Sequence, residues 1–430
     1  MKKLALILLV ASVHYSSYAQ KFEPNHDESK IPPYTLGNPL IFNNGSEVKT
    51  SKDWIKRRAE IYSIFESEQF GVTPEWKGKV KATLNSQKSD ALEGLAKRKE
   101  VRLEFINGEK QCAITLLIYL PQKSNNVPVF LSYNFNGNHS TTLESDVLIP
   151  ESWVANNKEL GITDNHATAS GRGKQISRWP IKEIVARGFG VATVYYGDVD
   201  PDFDDGFKNG VHELFDSQRD SKSWGSIAAW AWGYSRIMDY FEKDREIDSK
   251  KIIVMGHSRL GKAALWAGAS DKRFAMVVSN NSGCGGAALS KRIYGETVER
   301  ITSSFPHWFC SNFKKYGNNE QALPVDSHEL LALIAPRPVY VASAVEDNWA
   351  DPQGEFLACV YASPVYELLG SKKFKATKMP ELSSPIRGDI SYHIRPGKHD
   401  VTLYDWNCYM DDAARYFKLK EQATDPIHPN

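Results

Sequence analysis

The chain has 430 residues, of which 41% are hydrophobic and 24% are charged, and its formal net charge is +1. This length suits one large α/β domain with insertions, and the composition is that of an ordinary globular enzyme. A nearly neutral chain lacks the basic excess of nucleic-acid-binding proteins, so no nucleic-acid partner is predicted.

The first 19 residues have the pattern of a secretion signal. Two lysines form a positive start, and the apolar run 4–13 that follows is too short to span a bilayer. Ser17 and Ala19 are small residues in the positions that a signal peptidase requires, so cleavage after Ala19 is predicted. No later apolar run reaches membrane length. We therefore expect a periplasmic or secreted protein without membrane insertion.

Strand and helix patterns alternate along the rest of the chain. The alternation predicts an α/β fold, a three-layer sandwich with a mostly parallel, doubly wound sheet. A single domain is expected over 20–430, with a wrapping N-terminal segment over 20–50 and an insertion near 287–330. Helices are predicted over 54–70, 178–187, 226–243 and 406–419, and strands over 80–82, 101–105, 112–119, 127–133, 191–196, 252–254, 275–279 and 338–343.

The acidic stretch 198–220 resembles a calcium-binding loop only weakly. It carries Asp200, Asp202, Asp204 and Asp205, but no bidentate Glu follows at the spacing that calcium loops use. We therefore predict a solvated loop there and no metal.

Five cysteines remain after the secretion signal, and an odd number leaves at least one of them unpaired. An oxidising compartment permits one bridge, for which Cys284 with Cys310 is a candidate. No C-x-x-C spacing occurs, so a zinc site is not predicted.

The most informative local pattern is a strand, a tight turn and a helix around Ser258. The β-branched run 252–254 meets a Gly-His-Ser turn, and a helix-forming segment follows. A serine at the tip of such a turn is the nucleophile elbow of α/β-hydrolases. The second glycine of the usual pattern is displaced by one position, because Leu260 stands there and Gly261 follows. The sequence therefore predicts the α/β-hydrolase fold and a serine nucleophile.

A serine hydroxyl needs a base, and α/β-hydrolases place that base on a loop between the last strand and the last helix. His399 meets this description and has Gly397 nearby. We predict that His399 is the base. His393 falls within the preceding strand and is interpreted as structural.

The acid that orients the base should follow the strand at 338–343 by a few residues. Glu346, Asp347 and Asp351 are the candidates in that loop. We predict Asp347 and keep Glu346 as the alternative. Asp351 precedes a proline, which is typical of a turn or a helix cap.

Four segments resemble the glucuronoyl esterases, carbohydrate esterase family 15. Residues 256–262 read G-H-S-R-L-G-K and are similar to the G-C-S-R-x-G-K elbow of that family, which explains the displaced glycine. Residues 281–286 resemble its E-S-G-x-G-G loop, while 305–308 and 339–354, with 346–352 within the latter, resemble its bacterial branch. The likeness covers most of the mature chain and is most specific over 130–405.

The resemblance implies a serine esterase that cleaves the ester between 4-O-methyl-glucuronate of xylan and an alcohol of lignin. It implies that Ser258 is the nucleophile, that His399 is the base and that Arg259 stabilises the oxyanion. Substrate-binding roles would fall to a cation, an acid and an aromatic residue: Lys262, Glu296 and Trp349. No cofactor or metal is implied, and a monomer is expected.

Two positions depart from the family pattern. Asn281 stands where many members carry a Glu, and an amide cannot stabilise an imidazolium as a carboxylate does. This removes one candidate acid and favours Asp347. His257 stands where fungal members carry a cysteine, so a disulfide at the elbow is not expected, and His257 is interpreted as structural.

Three alternatives stay open at this point. An acetyl xylan esterase, or another carbohydrate esterase, could use the same triad, although an acetyl group does not need the polar pair Arg259 and Lys262. An exported peptidase could have the same fold. A non-catalytic carbohydrate-binding relative is the third alternative, because Asn281 could mark a decayed triad.

Overall fold

The computed structural model describes residues 22–215, 218–372 and 374–419. The predicted secretion signal over 1–19 lies outside these residues and stays a prediction. Within the described ranges, no helix combines the length and the apolar character needed to cross a bilayer.

The central feature is a nine-stranded sheet. Its strands are β1 (Lys79–Asp90), β2 (Ala96–Asn107), β3 (Lys110–Pro121), β4 (Val127–Asn134), β5 (Gly190–Tyr195), β6 (Ile247–His257), β7 (Met276–Asn280), β8 (Val339–Ala344) and β9 (Ile390–Arg395). They are ordered β1-β2-β3-β5-β4-β6-β7-β8-β9. The first three are antiparallel to their neighbours, while β4 to β9 are mutually parallel. The loops that follow β6, β7, β8 and β9 therefore meet at one edge of the sheet, where such folds place their sites.

Helices cover both faces of this sheet. The main ones are α1 (Ser51–Phe65), α2 (Ile181–Ala186), α3 (Ser226–Phe241), α4 (Arg259–Ser270), α5 (Val298–Ser304), α6 (Ser327–Ala332), α7 (Pro352–Leu368) and α8 (Leu403–Phe417). Helices α2 and α8 share one hydrophobic core, and α1, α3, α4, α6 and α7 share the other. In β6, Ile252 and Val254 face one core while Ile253 and Met255 face the other. This alternation is that of a strand buried on both sides, and the predicted three-layer α/β-hydrolase sandwich is confirmed.

Several predicted elements have different bounds in the structure. The helix expected over 54–70 is α1 followed by a π-helical turn over Glu66–Phe70, and Thr50 caps its start with a capping box. The helix expected over 178–187 begins only at Ile181, directly after Pro180. Strand β1 is 12 residues long although only 80–82 were predicted, because most of its side chains are exposed and polar.

Helix α7 is absent from the sequence prediction. Its 17 residues are apolar on most sides and include Pro364, so the segment shows little helical periodicity. Asp351 caps its first turn by accepting a hydrogen bond from Gly354 N, which confirms the predicted capping role.

The candidate disulfide between Cys284 and Cys310 is wrong. All five cysteines are free thiols, and four of them are buried. In these positions the cysteines pack as small apolar side chains, and burial raises the pKa of Cys310 to about 11.

The N-terminal segment and the insertion lie against each other. Gly295 N donates to Asn25 O at 2.8 Å, and Arg292 pairs with Glu28 at 2.7 Å. The ring of His328 contacts Gly37 O at 2.7 Å. The segment that begins at residue 22 is thus anchored beside the insertion, which itself covers the sheet edge where the β6 to β9 loops meet.

Candidate active site

Ser258 stands at a sharp turn between β6 and α4. Its backbone has φ 58° and ψ −131°, a strained conformation for a residue other than glycine. A Cβ atom at Gly256 would lie 1.9 Å from Leu260 O, so only glycine allows α4 to start this close to the strand. Gly261 is constrained less severely, because a Cβ there would lie 2.9 Å from Ser282 Cβ. The displaced glycine thus lets α4 pack against the loop after β7.

Ser258 opens into a cavity of about 500 Å³ at the carboxyl ends of β6 to β9. The insertion supplies the opposite wall. The lining includes residues from both sides: Ser258, Arg259, Lys262, Asn281, Ser282, Gly283, Glu296, Arg300, Ser304, Phe305, Trp308, Asp347, Trp349, Ala350 and His399. All seven residues that the sequence singled out for catalysis or substrate binding are among them, and only the alternative acid Glu346 is not.

The structure brings Asp347 to His399. His399 Nδ1 lies 2.6 Å from Asp347 Oδ2, and the same oxygen accepts a hydrogen bond from Asn281 Nδ2 at 2.7 Å. Asp347 is 5% exposed. The Glu346 side chain is exposed, and the backbone N–H of Glu346 donates a hydrogen bond to Gly397 O. Asn281, the residue that departs from the family pattern, therefore contacts Asp347.

His257 lies beside His399, with 4.4 Å between the ring centroids. Asn280 Nδ2 donates to Tyr409 Oη at 2.8 Å, so Asn280 Oδ1 is free to accept from His257 Nδ1 at 2.6 Å. Burial lowers the pKa of His257 well below its usual value, and the neighbouring His399 adds to this effect. His257 is therefore a neutral, buried side chain.

Arg259 is held by a buried acid and by aromatic rings. Its Nη1 donates to Asp202 Oδ2, and its guanidinium lies 4.7 Å from the Trp308 ring and 5.4 Å from the Phe305 ring. The two rings stack on each other at 3.7 Å. Arg259 Nε is buried without a hydrogen-bond partner in the structure, so one donor stays available.

Asp202 corrects the prediction of a solvated acidic loop. Its side chain is 4% exposed and also accepts from Trp308 Nε1 at 2.7 Å and from Tyr196 Oη at 2.8 Å. Burial alone would raise the pKa of Asp202, but the hydrogen bond from His307 and the charge of Arg259 hold that pKa below its usual value. Asp200 is also buried, 3.5 Å from His212, whereas Asp204 is exposed as expected.

Lys262, Glu296 and Trp349 form one wall of the cavity. Lys262 Nζ donates to the carbonyl oxygens of Ser282 and Cys284 and lies 3.6 Å from Glu296 Oε2. Burial raises the pKa of Glu296, and the Lys262 ammonium opposes that shift. Trp349 is 38% exposed and meets the Phe22 ring edge-on at 6.1 Å. The wall presents an acceptor, a cation and an exposed aromatic face.

Glu355 is a buried acid that sequence reasoning missed. It lies in the first turn of α7 and accepts from Ser282 N at 2.8 Å, Gly283 N at 3.1 Å and Ser343 Oγ at 2.6 Å. Burial raises the pKa of Glu355 to about 8, although these donors partly offset the shift. Its donors lie outside α7, and two of them are 72 and 73 residues away in sequence, so a pattern within α7 could not reveal it.

The Glu355 carboxyl makes stability depend on pH. Because its pKa is raised from near 4.5 in the unfolded chain to about 8, its contribution is present below pH 4.5 and is lost as the pH rises through 8. We expect the wild type to lose up to about 5 kcal/mol of unfolding free energy relative to Glu355→Gln over this window. Urea denaturation at pH 5 to 9 measures the difference.

Glu367→Gln is the matched control for this measurement, because Glu367 is exposed on the same helix. It should follow the wild-type pH dependence. Parallel curves for the wild type and Glu355→Gln would show that the Glu355 carboxyl has no raised pKa.

Over the described residues, no three His, Cys, Asp or Glu side chains come together in a way that could hold a metal ion. The cavity lining combines a serine, a histidine, carboxylates and cations. The sheet order and the serine on its strained turn define an α/β-hydrolase with a nucleophile elbow.

Comparison with known proteins identifies the family within the α/β-hydrolases to which the chain belongs. A family model described as "Glucuronyl esterase, fungi" matches residues 176–370. A carbohydrate esterase from an unknown prokaryotic organism is 48% identical over 418 residues, which cover 95% of this chain and 96% of the relative. The chain belongs to carbohydrate esterase family 15, the glucuronoyl esterases, and is a carboxylic ester hydrolase.

Solved structures show the same relationship. A promiscuous CE15 esterase from a marine bacterial metagenome is 49% identical, with a TM-score of 0.86 over 91% of this chain and 99% of that chain. A glucuronoyl esterase from Solibacter usitatus is 44% identical, with a TM-score of 0.84 over 90% of this chain and 99% of that chain. The family resemblance found in the sequence is thereby confirmed.

Proposed function

We propose that this esterase hydrolyses the ester between glucuronic acid, or 4-O-methyl-glucuronic acid, of xylan and an alcohol of lignin. One observation carries the proposal: the wall of Lys262, Glu296 and Trp349 lies in the same cavity as Ser258. An acceptor, a cation and an aromatic face suit a sugar ring with hydroxyl groups. A small acyl group such as acetate would not reach this wall and would make no use of these groups.

Ser258, His399 and Asp347 form the proposed triad. Ser258 Oγ attacks the ester carbonyl carbon, and His399 Nε2 takes the hydroxyl proton. Asp347 accepts a hydrogen bond from His399 Nδ1–H at 2.6 Å, which fixes the tautomer and stabilises the imidazolium that forms. His399 then gives its proton to the departing alcohol oxygen. The carbonyl carbon stays bound to Ser258 as a glucuronoyl-enzyme.

Arg259 is proposed to stabilise the negative oxygen of the tetrahedral intermediate. Its backbone N–H lies at the start of α4, directly after the nucleophile, and its guanidinium has an unpaired Nε. A donor that is held in place before the reaction contributes several kcal/mol in such a site. Water then attacks the acyl carbon with His399 as base, and glucuronic acid and free Ser258 result.

The test compares benzyl glucuronate with 4-nitrophenyl acetate. We expect a kcat/KM at least about tenfold higher for the glucuronate ester, equal to about 1.4 kcal/mol of extra transition-state binding. Ser258→Ala should remove activity on both esters. Activity on acetate alone would favour an acetyl xylan esterase, and similar values for both esters would indicate a promiscuous esterase like the metagenome relative.

Trp349→Ala tests the sugar-binding wall separately. Because Trp349 is 38% exposed, its loss should not affect folding, but the sugar would lose an aromatic face. We expect KM for benzyl glucuronate to rise about tenfold, while kinetics on 4-nitrophenyl acetate stay unchanged. Tyr361→Ala is a suitable control, since Tyr361 is 43% exposed and does not line the cavity. An equal effect on both esters would contradict a sugar-binding role.

We also propose that the chain is exported by its first 19 residues. Lignin and xylan are polymers of the cell exterior, and the pattern of residues 1–19 supports export. Protein recovered from the periplasm or the medium should begin at Gln20.

A further inference from the structure

The loop that carries His399 connects the end of β9 to the start of α8. The His399 side chain is 40% exposed, and the contacts described above are with one carboxylate oxygen of Asp347 and the ring of His257. One hydrogen bond and one ring contact can fix the position of the imidazole only when the backbone of His399 is itself fixed. The position of His399 therefore depends on what fixes the loop.

The buried side chain of Arg395 lies inside this loop. Arg395, the last residue of β9, is 4% exposed. Its guanidinium donates to three carbonyl oxygens of the loop, those of Pro396 at 3.0 Å, Lys398 at 3.2 Å and Asp400 at 2.5 Å. Two of these carbonyls belong to the residues on either side of His399. The guanidinium thus holds the peptide unit directly before His399 and the peptide unit that follows Asp400.

The fourth contact of the guanidinium ties it to α8. Arg395 Nε donates to Asp405 Oδ2 at 2.8 Å, and Asp405 is fully buried. The same carboxylate forms a capping box with Thr402 and contacts His393 Nε2 at 2.8 Å. Arg395 therefore links the end of a strand, the start of a helix and the loop between them.

The loop is also joined to the loop of the acid. Val345 N donates to Arg395 O at 2.9 Å, and Glu346 N donates to Gly397 O at 3.0 Å. Gly397 has φ 97°, and a Cβ atom there would lie 3.3 Å from Arg395 Nη1. Glycine at this position both permits the turn and leaves space for the guanidinium.

We propose that Arg395 is the positioning residue of the catalytic histidine: it fixes the backbone on both sides of His399 and so sets the distance from His399 to Asp347 and to Ser258. This inference rests on the proposed triad. Arg395 is absent from the cavity lining, so it acts only through His399. Displacement of a catalytic group by about 1 Å can lower the rate about 100-fold.

Arg395→Lys is the informative variant. Lysine keeps the positive charge beside Asp405 but lacks the planar fork, so it cannot reach three carbonyls and a carboxylate together. We expect kcat on benzyl glucuronate to fall about 100-fold while KM stays within about twofold. The NMR signal of the proton between His399 Nδ1 and Asp347 should broaden or shift. Arg415→Lys is the control, because Arg415 lies on α8 and donates through Nε and Nη2 to Oδ1 of the buried Asp412. It should leave both readouts unchanged.

The outcomes separate this inference from the proposed triad. An active His399→Ala enzyme would overturn the triad and the inference with it. An inactive His399→Ala enzyme, with Arg395→Lys within twofold of the wild-type kcat, would overturn the inference alone. If Arg395→Lys does not fold, Asp405→Asn is the second variant to test. The amide keeps the shape of the Asp405 side chain that accepts from Arg395 Nε, but removes its negative charge. A smaller loss of kcat at unchanged KM is then expected, and an unchanged kcat would overturn the positioning role.

Discussion

Asp347→Asn should lower kcat about 1,000- to 10,000-fold and change KM little. The carboxylate accepts from His399 Nδ1 at 2.6 Å, so an amide there could donate instead and would favour the wrong tautomer of the imidazole. The imidazolium that forms when His399 takes the serine proton would also lose its negative neighbour. Both effects act in the transition state, so they should lower kcat and leave KM nearly unchanged. Steady-state kinetics on benzyl glucuronate measure it.

Two neighbouring residues provide the controls for this prediction. Glu346→Gln changes the adjacent acid, whose side chain is exposed, and should stay within about twofold of the wild type. Asn281→Ala removes the 2.7 Å hydrogen bond to Asp347 Oδ2 but leaves the acid in place, so about a tenfold loss is expected. A greater loss for Glu346→Gln than for Asp347→Asn would identify Glu346 as the acid.

The elbow could be predicted from the sequence because everything it needs is local. A strand, a turn and a helix within a dozen residues place Ser258, and the chain order of α/β-hydrolases places His399. The choice between the adjacent acids Glu346 and Asp347 was harder, since both lie past the end of β8. It depends on which side chain faces the neighbouring loop, and no local pattern contains that information.

The residues that the sequence did not reveal are those that act over long separations. Asp202 is 57 residues away from Arg259, and its burial depends on the Trp308 side chain of the insertion. The sequence shows Asp202 within an acidic cluster and Trp308 within a family-like motif. Neither pattern predicts a contact between the two residues. Glu355 was missed together with α7, whose uniform apolar composition hides its periodicity.

The acidic loop also shows why a solvated loop was the wrong prediction for Asp202. Four aspartates in six residues are typical of a surface, and Asp204 does lie there. Asp202 is buried only because a cation, an indole N–H, an imidazole and a phenol surround it. A buried carboxylate is stable when its charge and hydrogen bonds are satisfied, and here that requires the whole folded site.

Arg259→Met should lower kcat about 100- to 1,000-fold, because it removes the side-chain donor and the positive charge beside the proposed oxyanion. The backbone N–H would still be present, so some activity should remain. Arg259→Lys should recover little of the loss, since an ammonium group would stay at Asp202 and could not also reach the oxyanion. Phosphonate esters, which place a negative oxygen in this position, should inactivate both variants more slowly than the wild type.

Asp202→Asn tests whether the aromatic rings alone can hold the guanidinium. The buried charge of Arg259 would lose its partner while the stacking on Trp308 at 4.7 Å remained, so a loss of about 10- to 100-fold in kcat is expected. The double variant Asp202→Asn with Arg259→Met should be no slower than Arg259→Met alone, because Asp202 acts only through Arg259. Asp204→Asn, exposed on the same loop, should match the wild type. Fully additive losses in the double variant would mean that Asp202 supports the reaction in a second way, through its contacts with His307 and Tyr196.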